Sequence, residues 1–168
     1  MTTERFLLLD GHSLAFRAFF ALRAENFRTP QGQYTNAVYG FITTLLKLLA
    51  DYQPDRVAVA FDLPGGTFRT REYAEYKGGR AATPEEFKGQ IDVIKEVLDV
   101  LGVAWLTVDD FEADDIVATL ARKAQDAHMH AYVSSGDKDS YQLVTDGCTV
   151  LYPMPRSEMQ VLDPEGVK

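Results

Sequence analysis

The segment Phe111-Glu112-Ala113-Asp114-Asp115 places three carboxylates within four residues, at the start of an amphipathic helix. The apolar positions of that helix have the spacing of one buried face: Ala113, Ile116, Val117 and Leu120. A single acid is enough to cap a helix N-terminus, where the helix dipole favours negative charge. Three crowded acids repel each other, and a bound divalent cation is the usual remedy. The segment alone therefore leaves two interpretations open: a helix cap with more acids than it needs, or one side of a metal site.

Strand-like and helix-like patterns alternate along the rest of the chain. Apolar runs predict strands at Phe6–Leu9, Arg56–Phe61, Val103–Val108, Ala131–Ser134, Cys148–Tyr152 and Met159–Leu162. Helical patterns cover about 14–22, 36–52, 84–101 and 113–127, with N-caps predicted at Ser13, at Thr35 or Asn36, and at Thr83. This alternation predicts an α/β sandwich with a largely parallel sheet.

Size and composition are those of one globular domain. The 168 residues suffice for a real core, and 46% of them are hydrophobic and 25% charged, as in ordinary soluble proteins. The single cysteine, Cys148, cannot form an internal disulfide, which suggests a reducing compartment. We find no apolar run of about 18 residues and no signal peptide pattern. We therefore expect one cytoplasmic domain without a membrane segment.

Acidic residues occur where the predicted strands end. In such sheets the ligand crevice lies beyond the carboxyl ends of the strands, and seven acids are expected there: Asp10, Asp62, Glu112, Asp114, Asp115, Asp137 and Asp139. Neutralising these seven would change the net charge from −8 to −1, so the acidity of the chain is largely its proposed site. An oxygen-only ligand set suits Mg²⁺ or Mn²⁺. Seven acids exceed what one Mg²⁺ takes, so we expect two ions, an arrangement that fits in-line displacement at phosphorus.

A phosphodiester substrate would need positive charge elsewhere, and residues 67–80 offer it. Tyr76 offers a face for an unpaired base, and four basic residues surround it: Arg69, Arg71, Lys77 and Arg80. Lys77 and Arg80, three residues apart, would grip one phosphate if the segment is helical. An ordinary solvated helix would explain the same charges. Arg17, on the first helix, is expected to reach either DNA or the acids.

Six motifs, taken together and in order, resemble the 5′ nuclease domain of bacterial DNA polymerase I, which belongs to the flap endonuclease family and has a PIN-like fold. They are Leu9-Asp10-Gly11-His12-Ser13-Leu14-Ala15-Phe16-Arg17-Ala18-Phe19-Phe20, Thr35-Asn36-Ala37-Val38-Tyr39-Gly40-Phe41, Phe61-Asp62, Tyr76-Lys77-Gly78-Gly79-Arg80, Phe111-Glu112-Ala113-Asp114-Asp115 and Gly136-Asp137-Lys138-Asp139-Ser140-Tyr141-Gln142-Leu143.

The resemblance implies a three-layer PIN-like domain over residues 1–168, with a clamp or arch inserted at about 63–82. It implies a Mg²⁺-dependent 5′–3′ exonuclease and flap endonuclease that cuts DNA at flaps, nicks and free 5′ ends, in primer removal and repair. The seven acids match the family's metal-binding acids one by one. Lys77 and Arg80 match its basic residues at the scissile phosphate. The residues expected to bind DNA are Arg69, Arg71, Tyr76, Lys77, Arg80 and Arg17.

In the family a helix-hairpin-helix module with further metal-binding aspartates follows this region, and nothing after Met159 resembles it. We therefore expect a monomeric fragment of DNA polymerase I, with the polymerase domain of the same chain and branched DNA as partners. Three alternatives remain open: a PIN-type RNase, a small-molecule phosphohydrolase, and a fragment that binds metal or DNA only weakly. The phosphohydrolase would want Asp-x-Asp after the first strand, where this chain has Asp10-Gly11-His12.

Overall fold

Among the residues that the structure describes, six strands form one central sheet. The computed structural model describes residues 3–63, 86–87, 89–154 and 158–166. The strands are β1 (Arg5–Asp10), β2 (Arg56–Ala60), β3 (Ala104–Leu106), β4 (His130–Ser134), β5 (Cys148–Pro153) and β6 (Met159–Leu162). Each overlaps a strand that the sequence pattern predicts, and β3 is shorter than expected.

The sheet has the order β3-β2-β1-β4-β5-β6. All neighbours pair in parallel except β5 and β6, which are antiparallel. The chain builds the sheet from β1 outward in one direction through β2 and β3, and then in the other direction through β4, β5 and β6. In open α/β sheets a crevice forms where the direction changes, beyond the carboxyl ends of the strands. The mostly parallel α/β architecture that the sequence predicts is therefore confirmed.

In the part of the chain that the structure describes, four α-helices flank the sheet: α1 (Gly11–Ala21), α2 (Asn36–Tyr52), α3 (Gln90–Leu101) and α4 (Ala113–Asp126). Two 3₁₀ helices, Ala24–Asn26 and Lys138–Leu143, lie in the connections. Within the described residues, no helix is both long enough and apolar enough to span a membrane.

Helices cover the two faces of the sheet as separate layers. Side chains alternate across β1, so Leu7 and Leu9 pack with α1, α2 and α3, whereas Leu8 packs with α4. Leu7 and Leu9 are fully buried, and each such side chain contributes roughly 1.5–3 kcal/mol relative to exposure. The apolar face predicted for α4 is confirmed, because Ala113, Ile116 and Val117 are buried.

The capping of α1 and α2 differs from the expectation in different ways. Asp10, the last residue of β1, caps α1 by accepting a hydrogen bond from the Ser13 backbone N–H at 3.1 Å, so Ser13 is not the cap. The helix starts directly at the strand end, which leaves the strand residue to cap it. Thr35 occupies the N-cap position of α2, as predicted, but its side chain makes no cap hydrogen bond. The side chain of Gln90, from α3, takes that role instead.

The third helix starts later than the sequence predicts. It begins at Gln90, after Gly89, whose φ of 87° is a left-handed conformation that favours glycine. Glu86 and Phe87 lie in a turn ahead of it, so Phe87 packs into the core from a turn and not from the helix. The predicted N-cap, Thr83, lies outside the described residues.

Candidate metal centre

The sheet brings Asp10 and Asp62 to one edge. Asp10 ends β1 and pairs with Ala60 of β2, and Asp62 follows two residues later. Asp62 Oδ1 also accepts a hydrogen bond of 2.6 Å from the backbone N–H of Ala113, the first residue of α4. One carboxylate thus ties the carboxyl end of β2 to the tip of the acidic helix.

A close contact between Gly11 and the ring of Phe61 holds these two acids in place. A Cβ on Gly11 would lie 2.5 Å from the ring of Phe61, which is fully buried. Only glycine therefore lets the Phe61 ring pack under the first turn of α1. Asp10-Gly11 and Phe61-Asp62 are adjacent pairs in sequence, so this packing fixes the separation of the two carboxylates.

The tip of α4 carries three acids of the segment Phe111–Asp115. Glu112 is the N-cap residue and is buried, while Asp114 and Asp115 lie in the first turn. Ligand oxygens of these three side chains all lie within 4.8 Å of one another, a spacing compatible with one metal ion. The carboxylates on the two sides of the helix tip therefore point toward one place, as binding of a shared cation requires.

Burial and crowding of negative charge raise two pKa values here. Burial raises the pKa of Asp10 to about 7, and the nearby Asp62 and Asp114 carboxylates add to the shift. The pKa of Asp114 is also raised, first by desolvation and then by Asp115 and Glu112. These effects couple five acids electrostatically: Asp10, Asp62, Glu112, Asp114 and Asp115.

The remaining two acids lie on the loop after β4. The Asp137 carboxylate accepts the Asp139 backbone N–H at 2.9 Å and so caps the second 3₁₀ helix. Ser13 Oγ, in the first turn of α1, accepts the Gly136 N–H at 3.0 Å and lies 3.2 Å from Ser135 Oγ. The loop is therefore fastened beside the turn that Asp10 caps, while metal binding by Asp137 and Asp139 stays a prediction.

His12 and Arg17 of α1 have identifiable contacts. His12 Nδ1 lies 3.9 Å from Asp62 Oδ2, an ion pair if the histidine is protonated. The Arg17 guanidinium lies 5.1 Å from the centre of the Tyr152 ring, and Nη1 donates to the Tyr152 hydroxyl at 3.3 Å. A DNA contact by Arg17 stays a prediction.

The predicted clamp falls on residues that the structure does not describe. Its members lie outside the described ranges, and their assignment as catalytic or DNA-binding stays a prediction: Arg69, Arg71, Tyr76, Lys77 and Arg80.

The donor set fits a hard divalent cation. Carboxylate oxygens are the ligands that Mg²⁺ and Mn²⁺ prefer. A bound cation would also relieve the repulsion that raises the pKa values of Asp10 and Asp114. Glu112, Asp114 and Asp115 would hold such an ion, with Asp10 and Asp62 on the facing strand ends.

Sequence patterns missed several contacts that hold the fold together, both at the site and away from it. The Gly11–Phe61 contact and the Ser13–Gly136 bond both join segments far apart in sequence. The side chains of Asn36 and Gln90 form a buried hydrogen-bonded pair that no local pattern indicates. The available signal for Gln90 was a polar residue on the otherwise apolar buried face of α3.

Known proteins resemble the chain over nearly its whole length. A family described as "5′-3′ exonuclease, N-terminal resolvase-like domain" matches residues 5–168. DNA polymerase I of Mycobacterium tuberculosis (strain ATCC 25618 / H37Rv) is 53% identical over 162 residues, which are 96% of this chain and 18% of that protein. DNA polymerase I of Chloroflexus aurantiacus is 48% identical over 149 residues, 89% of this chain and 16% of the relative. The chain thus spans less than a fifth of these relatives.

Solved structures share the fold. The T5 D15 protein co-crystallised with metal ions has a TM-score of 0.69 and 22% identity, over 95% of this chain and 58% of that one. The catalytic core of Rad2 in complex with DNA substrate has a TM-score of 0.57 and 19% identity, over 98% of this chain and 49% of that one. The family match over residues 5–168 decides the classification: the chain belongs to the 5′–3′ exonuclease family, as its N-terminal resolvase-like domain.

Proposed function

We propose that this chain is a divalent-metal-dependent 5′ nuclease that hydrolyses DNA phosphodiesters at free 5′ ends, flaps and nicks, as in primer removal and repair. The observation that carries the proposal is the convergence of Asp10, Asp62 and the α4 tip at one edge of the sheet. Support also comes from the relatives, which are DNA polymerases I, and from neighbours solved with metal ions or DNA.

The site's own residues have separate tasks in this mechanism. Bound ions would lower the pKa of the attacking water and stabilise the leaving oxygen. Glu112, Asp114 and Asp115 would hold one ion, and Asp137 and Asp139 would complete a second site. Since the pKa of Asp10 is near 7, a cation must displace a proton from it below neutral pH.

Substrate binding would need groups that offset the acids. Lys77 and Arg80 would contact the scissile phosphate. The unpaired strand would be bound by Arg17 and by the remaining clamp residues, which are Arg69, Arg71 and Tyr76. We further propose Mg²⁺ or Mn²⁺ as the ions. The chain would act as a cytoplasmic monomeric domain, with residues 63–82 as its clamp and with the polymerase domain of the same protein as its partner.

The test is cleavage of a 5′-labelled flap oligonucleotide with Mg²⁺ or Mn²⁺, comparing the wild-type chain with Asp114→Asn. The substitution keeps the oxygen that accepts the Asp115 N–H and removes one ligand charge. Asp126→Asn is the matched control, because it makes the same change at the exposed far end of α4. We expect Asp114→Asn to lose at least 100-fold in rate and Asp126→Asn to stay within twofold.

Cleavage that persists in EDTA, or that survives Asp114→Asn, would reject the mechanism. An RNA oligonucleotide of the same sequence distinguishes the substrate class. Preference for the RNA strand over flap DNA would replace the proposal by the PIN-type RNase alternative.

A further inference from the structure

Two serine side chains connect the ends of β1 and β4 beside the proposed metal site. These strands are neighbours, and Leu9 pairs with Ser134, so the residues that follow, Asp10 and Ser135, come to the same edge of the sheet. Ser135 is 3% exposed, and its Oγ lies 3.2 Å from Oγ of Ser13, in the first turn of α1. We call the side chains of Ser13 and Ser135 the serine pair.

The serine pair binds the backbone on both of its sides. Ser13 Oγ donates to the carbonyl of Asp10 at 3.4 Å and accepts the Gly136 N–H at 3.0 Å. Ser135 Oγ accepts the Asp137 N–H at 3.1 Å. Because the Ser13 proton is used on Asp10, the Ser135 hydroxyl supplies the proton between the two oxygens. One line of hydrogen bonds therefore runs from the backbone of Asp137 to that of Asp10.

Close packing holds the same loop against α1. A Cβ on Gly136 would lie 3.1 Å from the carbonyl oxygen of Ser13 and 3.4 Å from Cδ of Arg17. The loop then enters the second 3₁₀ helix, where Asp137 Oδ1 accepts the Asp139 N–H at 2.9 Å. The placement of both acids relative to α1 is therefore determined by the serine pair and by Gly136.

We infer that Ser135 is a positioning residue for the second divalent cation. Through Ser13 it holds the loop with Asp137 and Asp139 beside the end of β1. The first ion, at the tip of α4, depends on none of these bonds, because Asp62 ties that tip to the sheet separately. The inference rests on the proposed function, in which Asp137 and Asp139 complete the second site.

The two ions distinguish positioning from a purely structural role. If the serine pair only stabilised the fold, its loss would weaken both ions equally or neither of them. If it positions the loop, its loss weakens the loop ion and leaves the ion at the α4 tip unchanged.

Ser135→Ala removes both hydrogen bonds of the hydroxyl and leaves every acid in place. Ser134→Ala is the matched control, because the neighbouring Oγ is fully buried and makes no hydrogen bond to any residue that the structure describes. Mn²⁺ is titrated into the metal-free chain at pH 8 and the free ion is followed by its EPR signal. Asp139→Asn, which changes no group of the serine pair, identifies the binding step that belongs to the loop.

We expect two binding steps in the wild-type chain, of which Asp139→Asn weakens one. Ser135→Ala should weaken that same step roughly tenfold, since two hydrogen bonds are lost, and keep the other step within about twofold. Ser134→Ala should keep both steps within twofold. The inference is overturned by equal losses in both steps of Ser135→Ala, by a loop step within twofold of wild type, or by an Asp139→Asn variant that weakens neither step.

Ser13→Ala tests whether the two hydroxyls act together. The backbone N–H of Ser13 still binds Asp10 in this variant, so the cap of α1 remains. The double variant with Ser135→Ala should weaken the loop step by less than the product of the two single losses, because each single variant already breaks the shared bond. A loss equal to that product would show that Ser135 does not act through Ser13, and would overturn the inference.

Ion binding and DNA cleavage separate this inference from the proposed function. A wild-type chain that binds only one Mn²⁺ overturns the inference even if it cuts flap DNA. A chain that binds two ions and cuts no DNA rejects the proposed function, and the two affinities then decide on Ser135. If Ser135→Ala does not fold, Ser13→Ala breaks the same bond and provides the comparison with Ser134→Ala.

Discussion

Asp10 is the residue at which stability and the proposed chemistry conflict most. Its carboxyl group is buried, and its pKa is raised to about 7 by desolvation and by neighbouring acids. A group whose pKa is raised on folding stabilises the fold most below its unfolded pKa, and that contribution disappears as the pH rises through the folded pKa. The metal-free protein therefore loses stability between about pH 4 and pH 7 through this one side chain.

Asp10→Asn should consequently stabilise the metal-free chain at pH 8. Asparagine keeps an oxygen that can cap α1 but carries no charge to bury. The gain has an upper bound of about 4 kcal/mol, the equivalent of a shift of roughly three pKa units. Thermal unfolding in EDTA at pH 8 and pH 4.5 measures it. The prediction fails if Asp10→Asn melts below wild type at pH 8, or gains as much at pH 4.5 as at pH 8.

Gly11 provides a second residue-scale prediction. Gly11→Ala would place a methyl group 2.5 Å from the Phe61 ring, so the ring or α1 must move. We expect a loss of about 1–3 kcal/mol from overpacking and at least tenfold weaker Mn²⁺ binding, measured by denaturation and by titration.

Gly40→Ala is the control for Gly11→Ala. Its new methyl group would lie 2.6 Å from Ala18 Cβ, a similar clash between α1 and α2 that involves none of the acids. It should lower stability comparably and leave Mn²⁺ affinity unchanged. Equal loss of affinity in both variants would mean that the Gly11–Phe61 contact has no special role in holding the acids.

Among the secondary-structure elements, α4 is tied at its first residue to the segment after β2 by one hydrogen bond. The bond runs from the Ala113 N–H to Asp62 Oδ1. Ala113→Pro removes this donor and leaves the helix intact, because proline suits the first helical position and Glu112 is already extended. A hydrogen bond to a charged group contributes about 1.5–3 kcal/mol, so Mn²⁺ affinity should fall by at least tenfold.

Ala113→Val controls for the added volume at this buried position, since it brings a comparable number of carbons and keeps the N–H. Isothermal titration with Mn²⁺ compares the two variants. If valine weakens metal binding as much as proline does, crowding and not the lost bond is responsible, and the link between Asp62 and α4 has no role in the site.

The elements themselves could be predicted from the sequence, whereas their connections could not. Periodicity locates all six strands and the buried face of α4, because those signals are local. The cap of α1 was predicted wrongly, because the capping group comes from a strand end. Thr35 was predicted correctly as the N-cap residue of α2, but the side chain that caps this helix comes from a residue 53 positions away. The late start of α3 follows from the left-handed Gly89, and a favourable capping sequence upstream does not reveal it.

On the scale of the whole molecule, the fold concentrates negative charge at one edge of the sheet. The sequence predicted this, because acids that follow parallel strands must meet at that edge. It could not predict which acids meet closely. The structure brings Glu112, Asp114 and Asp115 within 4.8 Å, and couples Asp10 to Asp62 and Asp114. Those distances depend on packing, as at Gly11 and Phe61, and packing has no local signature.

Divalent cations should therefore stabilise the entire fold. At a concentration 100 times the dissociation constant, binding to the folded state alone adds about 2.7 kcal/mol. For a chain of this size we expect the melting temperature to rise by roughly 5–10 °C with Mg²⁺ or Mn²⁺ at pH 8. The rise should shrink at pH 5, where protons compete for Asp10. An equal effect of K⁺ at matched ionic strength would indicate general screening and no specific site.

The central claim, that the acids at the sheet edge hold divalent cations, is tested most directly by anomalous diffraction from crystals soaked in Mn²⁺. We predict a Mn²⁺ peak with carboxylate oxygens of Glu112, Asp114 or Asp115 at about 2.0–2.3 Å, and a second peak near Asp137 and Asp139 if two ions bind. No anomalous peak at this edge in millimolar Mn²⁺, or peaks only elsewhere on the surface, would contradict the account.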